Sequence, residues 1–458
     1  MTRLNRRWAQ SAIIAGAVLV AVLLGRGISQ GSFKLAAMLS LLALPFVAFT
    51  LGRRRMMLIG IAISPLPMLS ATLSLPLTWA LIAVIAVLVL GDGIYRDASW
   101  SRIKAWDVLL PLLFLSSFFI SAAQAGLVHA QTRVPQLLAV PIAVAVYFLT
   151  ILTLDSPYWI RRGVCALVIG SFTTLLLSLF QFAAPSVHLP GLFASSAALT
   201  QTTSAGTSVL RLSGVLGDYE LLAELLGLAG VAALWLSATK AGWWRLLWAA
   251  VSFSCIGGIA ATGTRGGAVV YLLGVVLLFV ARGQQRLRLL LLTAGLSFFA
   301  MLLAPLPWSG ASRNLVARLT ATSTSNGLSG FLGRQGIWPL FLHQLHFDWH
   351  LLWGSGPEFD FSAWGIYPHS LYIYLLVTQG ALGLVAFVAL LARSVWPVFA
   401  ALSGRSGWTL KAILALLVLL FAVDEVKIEY MRLYNYELTI WALLGLAAAS
   451  RQTRTGEK

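Results

Sequence analysis

"WWRLLWAAVSFSCIGGIAATGTRGGAVVYLLGVVLLFVARGQQRLR", residues 243–288, decides the fold. Two apolar runs, 246–262 and 267–281, stand almost back to back, with Arg265 the one charge between them. The bilayer's hydrocarbon core takes roughly 20 apolar residues as a helix. A helix satisfies its own backbone polar groups in lipid, so the pair reads as a transmembrane helical hairpin. Arg265 then stands at a membrane edge, where a charge needs a partner or a route to water.

The same pattern runs the length of the chain. Of 458 residues 59% are hydrophobic and 10% charged, with a mean hydropathy of +0.87; a soluble domain carries about 25% charged residues. Apolar runs fall at 9–25, 35–51, 56–72, 74–91, 106–123, 136–154, 164–183, 219–238, 246–262, 267–281, 288–305, 370–392, 412–423 and 436–450. These predict an all-α polytopic membrane protein of about 12–14 transmembrane helices, forming a single integral membrane domain over residues 1–458. Pro65, Pro67 and Pro76 interrupt the 56–91 pair, which membrane helices tolerate where neighbours satisfy the freed carbonyls. The sequence "GRGISQGS" after the first run is a poor signal-peptidase site, so that run reads as a helix. Cys165 and Cys255 both fall inside spans, and no disulfide framework is expected.

Charge sets the orientation. With "MTRLNRRW" in the cytoplasm, the loops on that side hold 22 of the 32 lysines and arginines and only five of the fifteen acidic residues. The whole formal charge of +17 then falls on one face, spread over every cytoplasmic loop, and both termini are cytoplasmic. Basic loops against anionic lipid account for this charge, so nucleic acid is not an expected partner. The opposite face carries the two longest connecting segments, an outer loop at 184–218 and a large loop at 306–369. All six histidines (His129, His188, His343, His346, His350 and His369) map to that face or to helix ends there. A site at the outer membrane edge follows.

Three outer stretches carry chemistry. "VLRLSGVLGDYELLAE" (209–224) has Arg211 as its only cation, followed by Asp218, Glu220 and Glu224. "TGTRGG" (262–267) places Gly266 and Gly267 after Arg265 at the start of a span, where free N–H groups and the helix dipole favour an anion. The stretch 354–384, "GSGPEFDFSAWGIYPHSLYIYLLVTQGALGL", brings Tyr367 and His369 to the mouth of a span. Arginine forks match phosphate oxygens, and histidine takes a proton near neutral pH. Those are the groups needed to hold a lipid-linked diphosphate leaving group and to activate a hydroxyl nucleophile.

These stretches, in order and on one face, resemble the O-antigen ligase/polymerase superfamily of bacterial envelope glycosyltransferases. "TGTRGG" is similar to that family's T-G-S-R-G-G element, "GSGPE…YPHSLYIYLLVTQGALGL" to its G-x-G…H-N-x-x-L…G…G-L element, and "RLSGVLGDYELLA" to its R-x-x-G-x-x-x-x-x-N-x-L-A element. The resemblance covers about 205–392; Ser370 stands where the family has Asn, and Tyr219 and Glu220 where an Asn-containing turn is usual. It implies a GT-C-like inner-membrane enzyme facing the periplasm. The reaction implied is an inverting transfer, without metal or other cofactor, from an undecaprenyl-diphosphate-linked glycan to a glycan, lipid A core or protein hydroxyl. Arg211 and Arg265 would bind the diphosphate, with Gly266, Gly267, Glu220 and Tyr367 at the substrate, and His369 would activate the acceptor.

Two other readings attach to particular residues. "HQLHFDWH" puts His343, His346 and His350 on one helical face, as zinc would need, but the surrounding Trp338, Leu340, Phe341 and Trp349 favour an amphipathic helix lying in the interface. A transporter or flippase of lipid-linked sugars would place ionisable residues within spans; Glu224 and Glu437 are the deepest candidates. "DEVKIEYMRLYNYE" (424–437) reads as a secondary outer cluster in which Arg432 and Glu429 pair locally.

Overall fold

The computed structural model describes residues 51–66, 81–87, 89, 103–125, 134–184, 198–202, 208–280, 338–339, 341, 349–357, 359, 361, 368–403 and 408–453. The spans expected at 9–25 and 288–305, most of the 306–369 loop, Tyr367, His343 and His346 lie outside these residues. Among the described residues, helical residues 51–63 and 81–87 precede ten α-helices: α1 (Ala105–Gln124), α2 (Val134–Thr153), α3 (Pro157–Ala183), α4 (Tyr219–Thr239), α5 (Trp243–Thr262), α6 (Arg265–Val280), the short α7 (Trp349–Trp353), α8 (Leu371–Leu402), α9 (Leu410–Asp424) and α10 (Tyr434–Gln452). Among the described residues five helices, α1, α3, α4, α5 and α8, are long and apolar enough to cross a bilayer. Among the described residues the strands are an antiparallel hairpin in the 184–218 segment, β1 (Ala198–Thr202) with β2 (Ser208–Leu212), in which Leu199 lies opposite Arg211.

The apolar runs are buried to different degrees. α4, α9 and α10 form the centre; α4 is buried over almost its whole length and packs against α3, α5, α6 and α9. α10 packs on α2 and α9, and α1 lies along α8. The peripheral helices expose Phe119, Ile169, Leu176, Leu272 and Val385, side chains that water would reject and lipid accepts. Hydroxyls inside spans bond within their own helix, as Thr150 to Val146 O at 2.7 Å and Thr174 to Gly170 O at 2.9 Å. Ser252 bridges three helices: its Oγ donates to Gly230 O at 2.8 Å and meets the Tyr271 hydroxyl at 3.0 Å.

α4 and α6 touch through small residues, as membrane helices do where backbones approach. A Cβ at Gly267 would lie 2.5 Å from Ala223 O, and one at Gly227 3.0 Å from Val270 Cγ1. α8 is broken at Gly380, whose φ of 71° and ψ of −176° are not helical. The break frees carbonyls, and the GSG turn after α7 satisfies them: Ser355 N–H donates to Val377 O at 2.8 Å and Gly356 N–H to Thr378 O at 3.1 Å. Gly354 (φ 85°) and Gly356 (φ 101°) supply the left-handed backbone for this docking.

The two ends of the bundle differ in charge. At one end Arg54 pairs with Asp155 at 2.6 Å. At the same end the fully buried Asp107 takes both Arg393 and Arg451, each at 2.8 Å, tying α1, α8 and α10 together. The other end carries Arg211, Arg265 and Lys427 among Asp218, Glu220, Glu224, Asp424, Glu425, Glu429 and Glu437.

Candidate functional site

At this second end the three sequence stretches come together. The turn between α5 and α6 is built first. Gly263, at φ 62°, closes α5 in the left-handed conformation and reverses the chain, so that α6 begins at Arg265. Arg211 on β2 holds this turn. It is 4% exposed; its Nε donates to Thr262 O at 2.8 Å and its NH2 to Thr264 Oγ1 at 2.9 Å. The Tyr219 ring lies under its guanidinium, 3.5 Å from the centroid, and Thr264 Oγ1 reaches Tyr219 O at 3.3 Å. Tyr219, which departs from the family pattern, thus supplies a stacking face. Asp218 caps α4 by accepting from Glu220 N–H at 2.8 Å and Leu221 N–H at 3.0 Å, which fixes the half-buried Glu220 in the first turn.

Arg265 is half-buried at the first position of α6. The two glycines after it serve the protein's own packing: Gly267 meets the Ala223 carbonyl, and Gly266 meets the Lys427 ammonium group. Lys427 pairs with Asp424 at 2.7 Å; Asp424 is 3% exposed and the lysine 39%. A second cation therefore stands at the N-terminus of α6 beside Arg265. Sequence reasoning placed Lys427 in a secondary cluster. No comparable sequence signal marks it: Lys427 stands among Asp424, Glu425 and Glu429 with Arg432 nearby, so it does not read as a lone cation.

His369 is fastened to the same segment. It is the one non-glycine residue with positive φ among the described residues, at 47°. The next residue but one, Leu371, sends its N–H to both Glu425 O at 3.0 Å and Ile428 O at 2.9 Å. The Tyr372 hydroxyl donates to Ala422 O at 2.6 Å. The α9–α10 connection, 425–433, is thus the floor on which the α6 and α8 N-termini rest. The Nδ1 atom of His369 is shielded from solvent.

A group of buried carboxyls surrounds this floor, among them Glu224 and Glu437, the deepest ionisable candidates in the sequence. Glu224 on α4 is fully buried among Asp424, Glu425, Lys427 and Tyr436. Neither of its carboxylate oxygens makes a hydrogen bond of ordinary geometry among the described residues, although Tyr436 and Glu425 lie close to it. Glu425 accepts from Tyr430 N–H at 3.2 Å. Burial, and then the neighbouring Glu224, Glu429 and Asp424, hold the Glu425 carboxyl well above the usual carboxylate range. Burial, followed by Glu437 and Glu425, raises the Tyr430 phenol in the same way. Glu429 is buried next to Glu437; the Arg432 side chain expected to pair with it lies outside the described residues.

No protein-family model and no curated protein matches the chain.

Proposed function

We propose that this chain is an inverting, metal-independent glycosyltransferase of the bacterial cytoplasmic membrane. It moves a glycan from an undecaprenyl-diphosphate carrier to an acceptor hydroxyl at the periplasmic face. One observation carries this reading: three stretches far apart in sequence meet around residues 424–428, with Arg265 and Lys427 at the α6 N-terminus and the segment that follows His369 bonded to the same connection. Arg265, Lys427 and the α6 N–H groups suit a diphosphate. The acceptor oxygen attacks the anomeric carbon as the bond to the diphosphate oxygen breaks. The diphosphate leaves with that electron pair, neutralised by Arg265 and Lys427, and the acceptor's proton passes to the His369 imidazole. Arg211 acts by holding the 262–264 turn rather than at an open surface.

The test is the product formed when purified protein meets a lipid-linked repeat unit alone. Longer chains identify a polymerase; transfer only after lipid A core or a protein acceptor is added identifies a ligase. EDTA should leave the rate intact, because the fixed cations supply the charge. Failure to release undecaprenyl diphosphate with any of these acceptors would overturn the reading.

Transport of a lipid-linked sugar is the second reading, favoured by one observation. Glu224 and Glu437 are buried carboxyls inside helices, the type of group that marks proton and substrate paths in membranes. Translocation into protein-containing vesicles without carrier release would select it.

A further inference from the structure

The opposite, basic end holds a cleft of about 660 Å³ between the N-termini of α3 and α9 and the C-termini of α4 and α10. Arg161, Arg162, Lys240 and Lys411 line it, with the hydroxyls of Thr409 and Ser450, and among the described residues no acidic side chain lines it. The acidic residues described at this end are engaged elsewhere, Asp155 by Arg54 and Asp107 by Arg393 and Arg451. The cations are held in place by neutral groups. Arg162 lies over the Tyr158 ring at 4.4 Å and the Trp159 ring at 5.3 Å, Arg161 over Trp235 at 5.8 Å, and Lys411 Nζ donates to Thr453 O at 2.9 Å. Four like charges around one concavity, three of them held in place, repel each other until an anion fills it. Pro157, Leu410 and Cys165 add apolar wall to the same cleft.

We propose that this cleft binds an anionic phospholipid whose headgroup carries two phosphates, such as diphosphatidylglycerol. The charge count fits two phosphates, the volume exceeds that of a single phosphate, and the apolar wall fits the acyl chains leaving the headgroup. Basic pockets between membrane helices recognise such lipids. A soluble diphosphate offers the same phosphate chemistry without the chains.

Native mass spectrometry of the full chain in detergent, with added diphosphatidylglycerol, phosphatidylethanolamine or inorganic pyrophosphate, separates these cases. One diphosphatidylglycerol per chain should be retained where phosphatidylethanolamine is lost. Arg161→Gln with Arg162→Gln should lower its occupancy about tenfold, since each cation facing a phosphate adds a factor of several. Lys411→Gln, on the opposite wall, should lower it independently, which keeps the test decisive if the double variant does not fold. Arg55→Gln, an exposed cation at the same end but outside the cleft, should change nothing. Equal retention of phosphatidylethanolamine, an Arg55→Gln effect as large as the cleft variants', or full displacement by pyrophosphate would overturn the proposal.

Discussion

Arg211 and Arg265 are both arginines in a motif, yet their surroundings assign them different work. Arg211 is buried, with two hydrogen bonds and a stacked ring. Arg211→Ala strands Thr262 O and removes the stack, at a cost of roughly 2–4 kcal/mol. Thermal unfolding in detergent should show the loss directly. Arg265→Ala should fold with near wild-type stability and lose activity instead. Arg265→Lys should be impaired too, because the planar fork is gone while the charge remains. A fall in melting temperature for Arg265→Ala as large as that for Arg211→Ala would erase the distinction. The two arginines were legible in the sequence because each is the lone cation near an apolar run. Lys427 was not, because it reaches the N-terminus of α6 only when Gly266, without a side chain, lets it approach.

The α8 helix depends on its break. Gly380 sits at φ 71°, and a Cβ there would collide with the Leu352 backbone. Gly380→Ala should therefore destabilise the fold by about 1–3 kcal/mol or more, read as a lower unfolding temperature, with loss of transfer as the His369 end of α8 shifts. The α9–α10 connection predicts a pH dependence. Glu425 has its carboxyl raised in the folded chain, so the folded state holds a proton that the unfolded state releases above its ordinary range. Stability from this group is full below pH 4.5, the ordinary value for a glutamate, and is lost as pH rises toward the folded value. Unfolding temperature should fall across that window, and Glu425→Gln should flatten the slope; a slope unchanged in Glu425→Gln would assign the dependence to other groups. Most helix positions were legible as apolar runs: 106–123 became α1, 219–238 became α4 and 436–450 became α10. The ends were less so. α3 starts at Pro157 instead of 164 because its first turns carry Arg161 and Arg162, and α8 continues to Leu402 because Arg393 is neutralised by Asp107. The hairpin holding Arg211 left no clear signal, since its two strands are only five residues each and carry no strict apolar–polar alternation.

At the scale of the whole molecule, charge separates the two ends of the bundle and should orient it. With Cys165 and Cys255 replaced, single cysteines beside Arg265 should react with a membrane-impermeant reagent from the periplasm, and those beside Arg161 should react only after the membrane is opened. The reverse pattern would place the gathered motifs in the cytoplasm and remove the lipid-linked periplasmic donor from reach. The central claim is that Arg265 stabilises a diphosphate leaving group. The direct measurement is the release of undecaprenyl diphosphate from a lipid-linked glycan in proteoliposomes, comparing wild type with Arg265→Ala at equal protein and verified folding. A fixed donor to a developing anion is worth about 10²–10³ in rate, so release should fall by that factor while donor binding persists. Release at the wild-type rate from Arg265→Ala would contradict it.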